Sequence, residues 1–386
     1  IADVPVRVEV IPEEEVEEKL LMTPSSVAML LNESTGMRVQ TTSASSNTAN
    51  LRIQGLSGRY TQLLTDGIPN FGGLSAGFSI TQLPPLNLRQ VEVIKGATST
   101  LYGPDAIAGV VNFLTKNPPE DGREFSGLVN ATTAGGYDAA LFHSSRESES
   151  FGYTLIASGN TQHLHDVDGD GFADIAGYDR YSISPKIQIA LGQDADARVS
   201  LGYMSENRIG GAVDGVWPAW IGVPYREDID TRRADIASEL NFRLPHDRSL
   251  GVKAAGMQMK RDAAYGGSPF NATQRFVFLD AQFVEPLSGG HTLLLGAAFN
   301  LEEFTDRTTG VDSLRSYNYR TPGVFAQAEW KISQAWTALT GGRIDFHNVY
   351  GTYFTPRASL KYSPGSNITL RAGGGAGFKA PTIFVE

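Results

Sequence analysis

The chain is 386 residues long and carries 32 Lys plus Arg against 42 Asp plus Glu, a formal net charge of −10. A surplus of acid argues against a general binder of phosphate backbones, so no nucleic-acid partner is expected. Cysteine is absent, which excludes thiol catalysis, thiolate zinc sites and a disulfide framework, while 42 glycines and 10% aromatic residues fit a turn-rich β protein. No apolar run is long enough for a transmembrane helix, but closed barrels cross membranes with a weaker, alternating signal. The chain opens at Ile1 without a basic or apolar leader, which reads as a processed or trimmed start.

Residues 1–122 read as one unit of mixed periodicity. Val6–Ile11 alternates like a strand, and an acidic run from Glu13 to Lys19 follows it. Thr23 as N-cap, Pro24 at the first helical position, apolar spacing from Val27 and a stop at Gly36 predict a helix. From Gln40 to Asn50 the residues are almost wholly Thr, Ser, Ala, Asn and Gln, which predicts a loop. Short strands are expected at Leu51–Gln54, Tyr60–Thr65, Val91–Ile94 and Val110–Leu114, with turns at Asp66–Gly67 and Asn117–Pro118.

From residue 123 to 386 the texture changes to long segments of period two. Ile236, Ser238, Leu240, Phe242 and Leu244 oppose Ala237, Glu239, Asn241 and Arg243, and Ile183, Pro185, Ile187, Ile189 and Leu191 oppose Ser184, Lys186, Gln188 and Ala190. Short connectors near Gln193, Pro245, Leu287, Ser333 and Pro364 alternate with longer loops at 164–177, 209–230, 263–271 and 306–317. Short turns on one side and long loops on the other is how outer-membrane barrels are built. Trp330, Trp336, Tyr353, Phe354 and Tyr362 lie near strand ends, where an aromatic girdle would sit. A soluble β-sandwich would share the alternation, but not strands of about ten to sixteen residues with systematically unequal connectors. The pattern yields about thirteen strands. Single-chain bacterial barrels close with an even number, so the sequence is expected to end inside the barrel.

Four motifs then resemble the plug of TonB-dependent outer-membrane receptors. They are LeuArgIleGlnGlyLeu from Leu51, LeuThrAspGlyIlePro from Leu64, GlnValGluValIleLysGly from Gln90 and LeuTyrGlyProAspAlaIleAlaGlyValValAsnPhe from Leu101. ThrProArgAlaSerLeuLysTyrSerPro from Thr355 and GlyPheLysAlaProThr from Gly377 resemble barrel motifs of the same receptors. The resemblance implies a mainly β fold: an N-terminal α+β plug, residues 1–122, inside a transmembrane antiparallel β-barrel of which 123–386 is part. It also implies a bacterial outer-membrane location, contact with outer-membrane lipid and with the TonB energy-coupling complex, and no enzymatic activity. Nothing before Val4 resembles a TonB box, and roughly nine of the family's 22 strands lie outside the sequence. Arg52 and Lys95 would be costly to bury unless they latch onto lumen carboxylates such as Glu239 or Glu329. Lys95 and Gln54 stand where the family often has Arg, which weakens that latch.

Ligand contacts are expected from the plug's upward segment, Asn70, Phe71, Leu74 and Phe78, and from the loop holding Trp217, Trp220, Tyr225 and Arg226, whose aromatic residues would equally pack the loop against itself. A ferric siderophore or similar metal complex is the expected cargo, with cobalamin, haem or oligosaccharide as alternatives. A non-transporting signalling receptor is a rival. A soluble β-sandwich hydrolase, with Ser75 in the GxSxG of Gly73–Gly77, is a remote one.

The sharpest local signal is AspValAspGlyAspGlyPheAlaAsp from Asp166. Asp166, Asp168 and Asp170 take positions one, three and five of a calcium loop, Gly171 the turn, Phe172 a carbonyl and Asp174 position nine. Gly177 replaces the bidentate Glu, so affinity should be modest unless Asp179 contributes. A solvated acidic loop tip is the alternative. His163 and His165 suggest a transition-metal site or, more simply, solvated loop-entry residues.

Overall fold

The computed structural model describes residues 5–22, 26–32, 34–43, 45–70, 74, 78–83, 85–213, 225–308, 315–365 and 367–384. The first unit contains β1 (Val8–Ile11), α1 (Glu13–Leu20), α2 (Ala28–Asn32), β2 (Met37–Ser43), β3 (Thr48–Ile53), β4 (Thr61–Thr65), β5 (Ile68–Pro69), β6 (Leu88–Lys95), α3 (Ser99–Tyr102) and β7 (Gly109–Thr115). Five of these strands form a sheet in the order β1-β6-β7-β4-β5, parallel only between β4 and β7, and β2–β3 is a separate hairpin. The core lies where Val16 of α1 and Leu30 and Leu31 of α2 meet Leu51, Ile53, Val91, Val93, Val111 and Phe113 of the strands. Each such side chain contributes roughly 1.5–3 kcal/mol by leaving water.

Two local expectations change. The acidic run is not merely a run: it is α1, because Glu13, Glu14 and Glu15 sit at the positive end of the helix and Lys19 near the negative end, with a Lys19–Glu15 bridge of 3.0 Å. The predicted loop at 40–50 is largely the β2–β3 hairpin, whose buried Ala49, Leu51 and Ile53 supply one apolar face. Its polar turn finds partners on the neighbouring wall rather than in water. The expected helix from Val27 is the shorter α2, Gly36 does take a positive φ of 74°, and the Thr23–Pro24 cap lies outside the described residues.

The second unit is a single antiparallel sheet of 13 strands in chain order. They are β8 (Arg123–Ala131), β9 (Gly136–Ser148), β10 (Phe151–Gln162), β11 (Gly177–Ala190), β12 (Ala195–Gly211), β13 (Arg226–Leu244), β14 (Arg248–Tyr265), β15 (Ser268–Pro286), β16 (Thr292–Asp306), β17 (Tyr317–Lys331), β18 (Trp336–His347), β19 (Gly351–Tyr362) and β20 (Leu370–Gly375). The sheet wraps the plug with β8 and β20 as its edges, an arrangement that removes the β-sandwich alternative.

The burial of this sheet is inverted relative to a soluble one. Val129 is 88% exposed, Phe125 69%, Phe354 63% and Ile236 50%, while Arg208 and Arg343 are each 1% exposed on the plug side. Period two therefore sorts apolar residues outward to lipid and charged ones inward. Of the expected girdle, Phe354, Trp330 and Trp336 face outward, with Tyr362 stacked on Trp336 at 4.3 Å; Tyr353 instead turns inward and stacks on Phe378 at 4.1 Å. The long loop expected at 263–271 is also corrected. β14 runs on to Tyr265 and turns at once through Gly266 and Gly267, both at positive φ (57° and 86°), the geometry that matches strand twist in a tight hairpin.

Candidate functional site

The side of the plug nearest the long loops is seated on a buried, charged patch of the wall. On β11 and β12, Arg180 Nε lies 2.7 Å and Arg208 Nη2 3.0 Å from Glu206 Oε2, and both guanidinium groups stack 4.8 Å from the Tyr178 ring. These groups reach across to the plug. Arg180 Nη1 donates to the Thr81 carbonyl (2.7 Å), Arg208 Nη1 to the Ser46 carbonyl (2.8 Å), and Gln82 Nε2 to Glu206 Oε1 (2.9 Å). One carboxylate between two arginines leaves local positive charge, which the plug carbonyls complement.

The apical segment of the plug is held beside it. Phe78 lies between Arg208 (5.2 Å) and Arg261 (4.5 Å), and Leu74 packs into Met259, Ala272 and Phe304. Arg261 Nη1 donates to the Leu74 carbonyl (2.7 Å), and Leu74 N–H to Gln274 Oε1 (3.1 Å). Gln274 Nε2 and the Tyr317 hydroxyl both donate to Glu302 Oε1, each at 2.7 Å. Arg261 is 4% exposed, and its Nη2 has no hydrogen-bond partner among the described residues. Tyr317 begins an aromatic ladder along the wall, with Tyr319 at 4.4 Å and His347 4.8 Å beyond Tyr319.

Of the expected contact residues, then, Leu74 and Phe78 are plug-to-wall contacts, and Asn70 turns back on its own hairpin through Thr65 Oγ1 (2.7 Å). Tyr225 braces loops: its ring stacks on Phe172 at 6.3 Å, lies where any side chain at Gly266 would sit, and its hydroxyl donates to Glu227 (3.0 Å). Arg226 is exposed at the start of β13. Phe71, Trp217, Trp220 and Ser75 lie outside the described residues.

The latch of Arg52 and Lys95 onto Glu239 and Glu329 is not formed. Arg52 donates to Gln40 (2.5 Å) and Lys95 pairs with Glu9 (2.5 Å), both within the plug. Glu239 is neutralised on the wall by Arg198 (3.2 Å) and Lys253 (4.0 Å), and Glu329 by Lys331 (2.8 Å). Several of the attachments run the other way, from barrel cations to plug acceptors. Lys253 Nζ donates to the Asp66 carbonyl (3.0 Å) and Lys186 Nζ to Thr115 Oγ1 (2.6 Å), in addition to the three arginines. The sequence holds a signal that was missed, namely Glu206 and Arg208 two apart near the outer end of a long strand, on the face opposite outward Tyr203 and Ile209.

In the 163–176 connector the carboxylates of Asp166, Asp168 and Asp174 lie within 4.8 Å of one another, the only such acidic or histidine cluster among the described residues. Asp166 accepts the N–H groups of Gly169 (2.7 Å) and Gly171 (2.9 Å), Asp170 that of Phe172 (2.8 Å) and Asp174 that of Val167 (2.8 Å). Gly171 first, then Gly169, holds the Asp166 carboxyl below the usual carboxylate range. Asp179 faces away, accepting from Thr161 (2.8 Å), and His163 packs on Tyr137 at 5.9 Å.

A plug sheet enclosed by a lipid-facing antiparallel wall is matched by comparison with known proteins. Residues 1–110 match the TonB-dependent receptor plug domain and residues 96–385 the TonB dependent receptor-like β-barrel. The chain belongs to the TonB-dependent receptor family. The receptor is 26% identical over 364 residues to the iron-regulated outer membrane virulence protein of Vibrio cholerae, covering 89% of this chain and 53% of that one. It is 24% identical over 399 residues to the vitamin B12 transporter of Vibrio vulnificus, covering 99% and 61%. Among solved structures it resembles the siderophore receptor PirA (TM-score 0.76, 18% identity, 97% and 62% covered) and the ferric enterobactin receptor PfeA (0.80, 18%, 97% and 62%), both of Pseudomonas aeruginosa. The chain thus spans roughly half to three-fifths of the length of these relatives. The family match places it in the bacterial outer membrane.

Proposed function

We propose that the receptor captures an anionic ferric chelate of the siderophore type at the outer end of the plug, and imports it with energy relayed by TonB. The observation that carries this reading is Arg261: a buried guanidinium with no salt-bridge partner among the described residues, directly under the apical segment at Leu74 and Phe78. A guanidinium held against an aromatic ring suits a ligand that is both anionic and aromatic. The names of the iron-regulated, PirA and PfeA relatives support the same class. The vitamin B12 transporter relative supports a cobalamin reading instead.

The test is binding of ferric enterobactin and of cyanocobalamin to the full-length receptor, with Arg261→Gln alongside. The expected result is ferric enterobactin binding, weakened about tenfold or more by the substitution, which corresponds to about 1.4 kcal/mol. Cobalamin binding without ferric chelate binding would replace this reading with the other. The Asp166–Asp174 loop belongs to the same proposal as a weak Ca²⁺ site that would fix the outer connector, its three carboxylates supplying the oxygen ligands.

A further inference from the structure

Two cavities lie between plug and wall, of about 160 and about 320 Å³. The smaller is toward the long-loop side, bounded by Tyr319 and His347 near the outer ends of β17 and β18 and by Thr61 of the plug. The larger is toward the short-turn side, bounded by Arg198, Glu239, Lys253 and Gln282 near the inner ends of their strands. Three residues line both: Pro69 and Tyr102 from the plug and Asn300 from β16.

Each cavity is also lined by residues that hold buried polar atoms without a protein partner among the described residues. His347 Nε2 and Thr61 Oγ1 are such atoms on residues lining the outer cavity, and Arg198 Nε and Arg343 Nη2 on residues lining the inner. His347 Nδ1 accepts the N–H of Val349 (3.1 Å) and of Tyr350 (3.2 Å), so Nε2 carries the proton and is a donor. Buried donors and acceptors of this kind require water or a polar solute, and both cavities far exceed the about 10–15 Å³ that one water needs.

We infer that the two cavities are halves of one aqueous route for hydrophilic, hydrogen-bonding solutes between plug and wall, closed by the Tyr102 ring against Asn300. The gate is well mounted. Tyr102 ends α3, whose Thr100 donates to the Thr355 carbonyl of β19 (3.1 Å), while Gly103 sits against the Arg343 guanidinium, about 3.5 Å from where a Cβ would lie. The ring packs on the Leu64, Ala106 and Val110 cluster, so it is held by the plug sheet and swings only if that sheet moves. As the path of the proposed cargo, the route rests on the transport reading, but its existence does not.

The experiment is ionic conductance of the full-length receptor in planar bilayers. Tyr102→Ala is expected to show a stable conductance, while the parent and Tyr102→Phe show none, because the ring and not the hydroxyl closes the gap. Adding Asn300→Trp to Tyr102→Ala is expected to close it again. A silent Tyr102→Ala receptor overturns the route, and so does a leak that Asn300→Trp leaves unchanged, since that leak comes from a loosened plug. A parent that imports ferric enterobactin while Tyr102→Ala stays silent would sink the route alone; a conducting Tyr102→Ala whose parent imports nothing would sink the transport reading alone.

Discussion

The two ends of the plug are fastened to the wall by different chemistry. At the outer end, buried Arg180, Arg208 and Arg261 donate to plug carbonyls, and buried Glu206 accepts from the Gln82 side-chain amide. At the inner end, where β7 leads into β8, Lys116 bridges Glu13 (2.8 Å) and Glu17 (3.6 Å) of α1 and Glu124 (3.0 Å) of β8, and those carboxylates are 37–60% exposed. Leu20 adds an apolar contact with Phe142 and Ile156 of the wall. Buried charges are strongly coupled because removing one strands the others, whereas exposed pairs are screened by water and salt. Rearrangement that begins at α1 would therefore meet the solvated Lys116 bridges before the buried seat around Glu206.

The contrast is broken most severely at Glu206. Glu206→Gln leaves Arg180 and Arg208 facing each other without a counter-charge, and should destabilise the outer seat by about 3–5 kcal/mol. Hydrogen exchange of the full-length receptor should show lost protection from Ser79 to Gln82 and around Ser46, with α1 unchanged. Equal loss at both ends would mean that the plug is held as one unit and that the comparison is false.

Lys116→Met should act in the opposite place and more weakly, at about 1 kcal/mol or less, because its partners are largely solvated. Burial disfavours the Lys116 charge, but the hydrogen bonds and charges of Glu13 and Glu124 outweigh it and raise its pKa above the ordinary lysine value. A raised pKa means that the stabilisation is fully present below the unfolded value of about 10.4 and is lost as pH rises through the folded one. Exchange protection of α1 in the parent should thus fall at high pH and at high salt, while Lys116→Met is flat in both. A parent insensitive to salt would assign α1 to its apolar contacts instead.

The wall was legible because period two and unequal connectors are properties of each strand and its neighbours, so the thirteen strands and their lipid-facing side follow from residues such as Ile236 and Glu239 without tertiary information. The plug's main strands were legible through Val91–Ile94 and Val110–Leu114. The β2–β3 hairpin was not, because Ser45 and Ser46 are satisfied by Glu227 and Arg208 from far along the chain, and such partners leave no local mark. The latch failed for the same reason. Arg52 and Lys95 look like cations in need of distant carboxylates, but Gln40 and Glu9 meet them inside the plug, and the cations that do cross the gap were hidden among the lumen-facing positions of regular strands.

The smallest effect concerns the outer connector, which neither fastening touches. Asp168 and Asp174 are exposed and Asp166 is committed to backbone N–H groups, so the loop is pre-shaped but carries three close carboxylates whose repulsion a divalent ion would relieve. Millimolar Ca²⁺ should slow proteolysis between His165 and Ile175 in the full-length receptor, matching the weak extracellular class of such sites at about 10⁻⁴–10⁻³ M. Asp168→Asn should abolish the protection without altering exchange in α1 or the apical seat. Because the Asp166 carboxyl is held below the usual range, its share of the loop's order is present above about pH 3.9 and lost only as pH falls through its lower folded pKa. Calcium protection in Asp168→Asn equal to that of the parent would leave the cluster as a solvated acidic tip, shaped by its own N–H bonds alone.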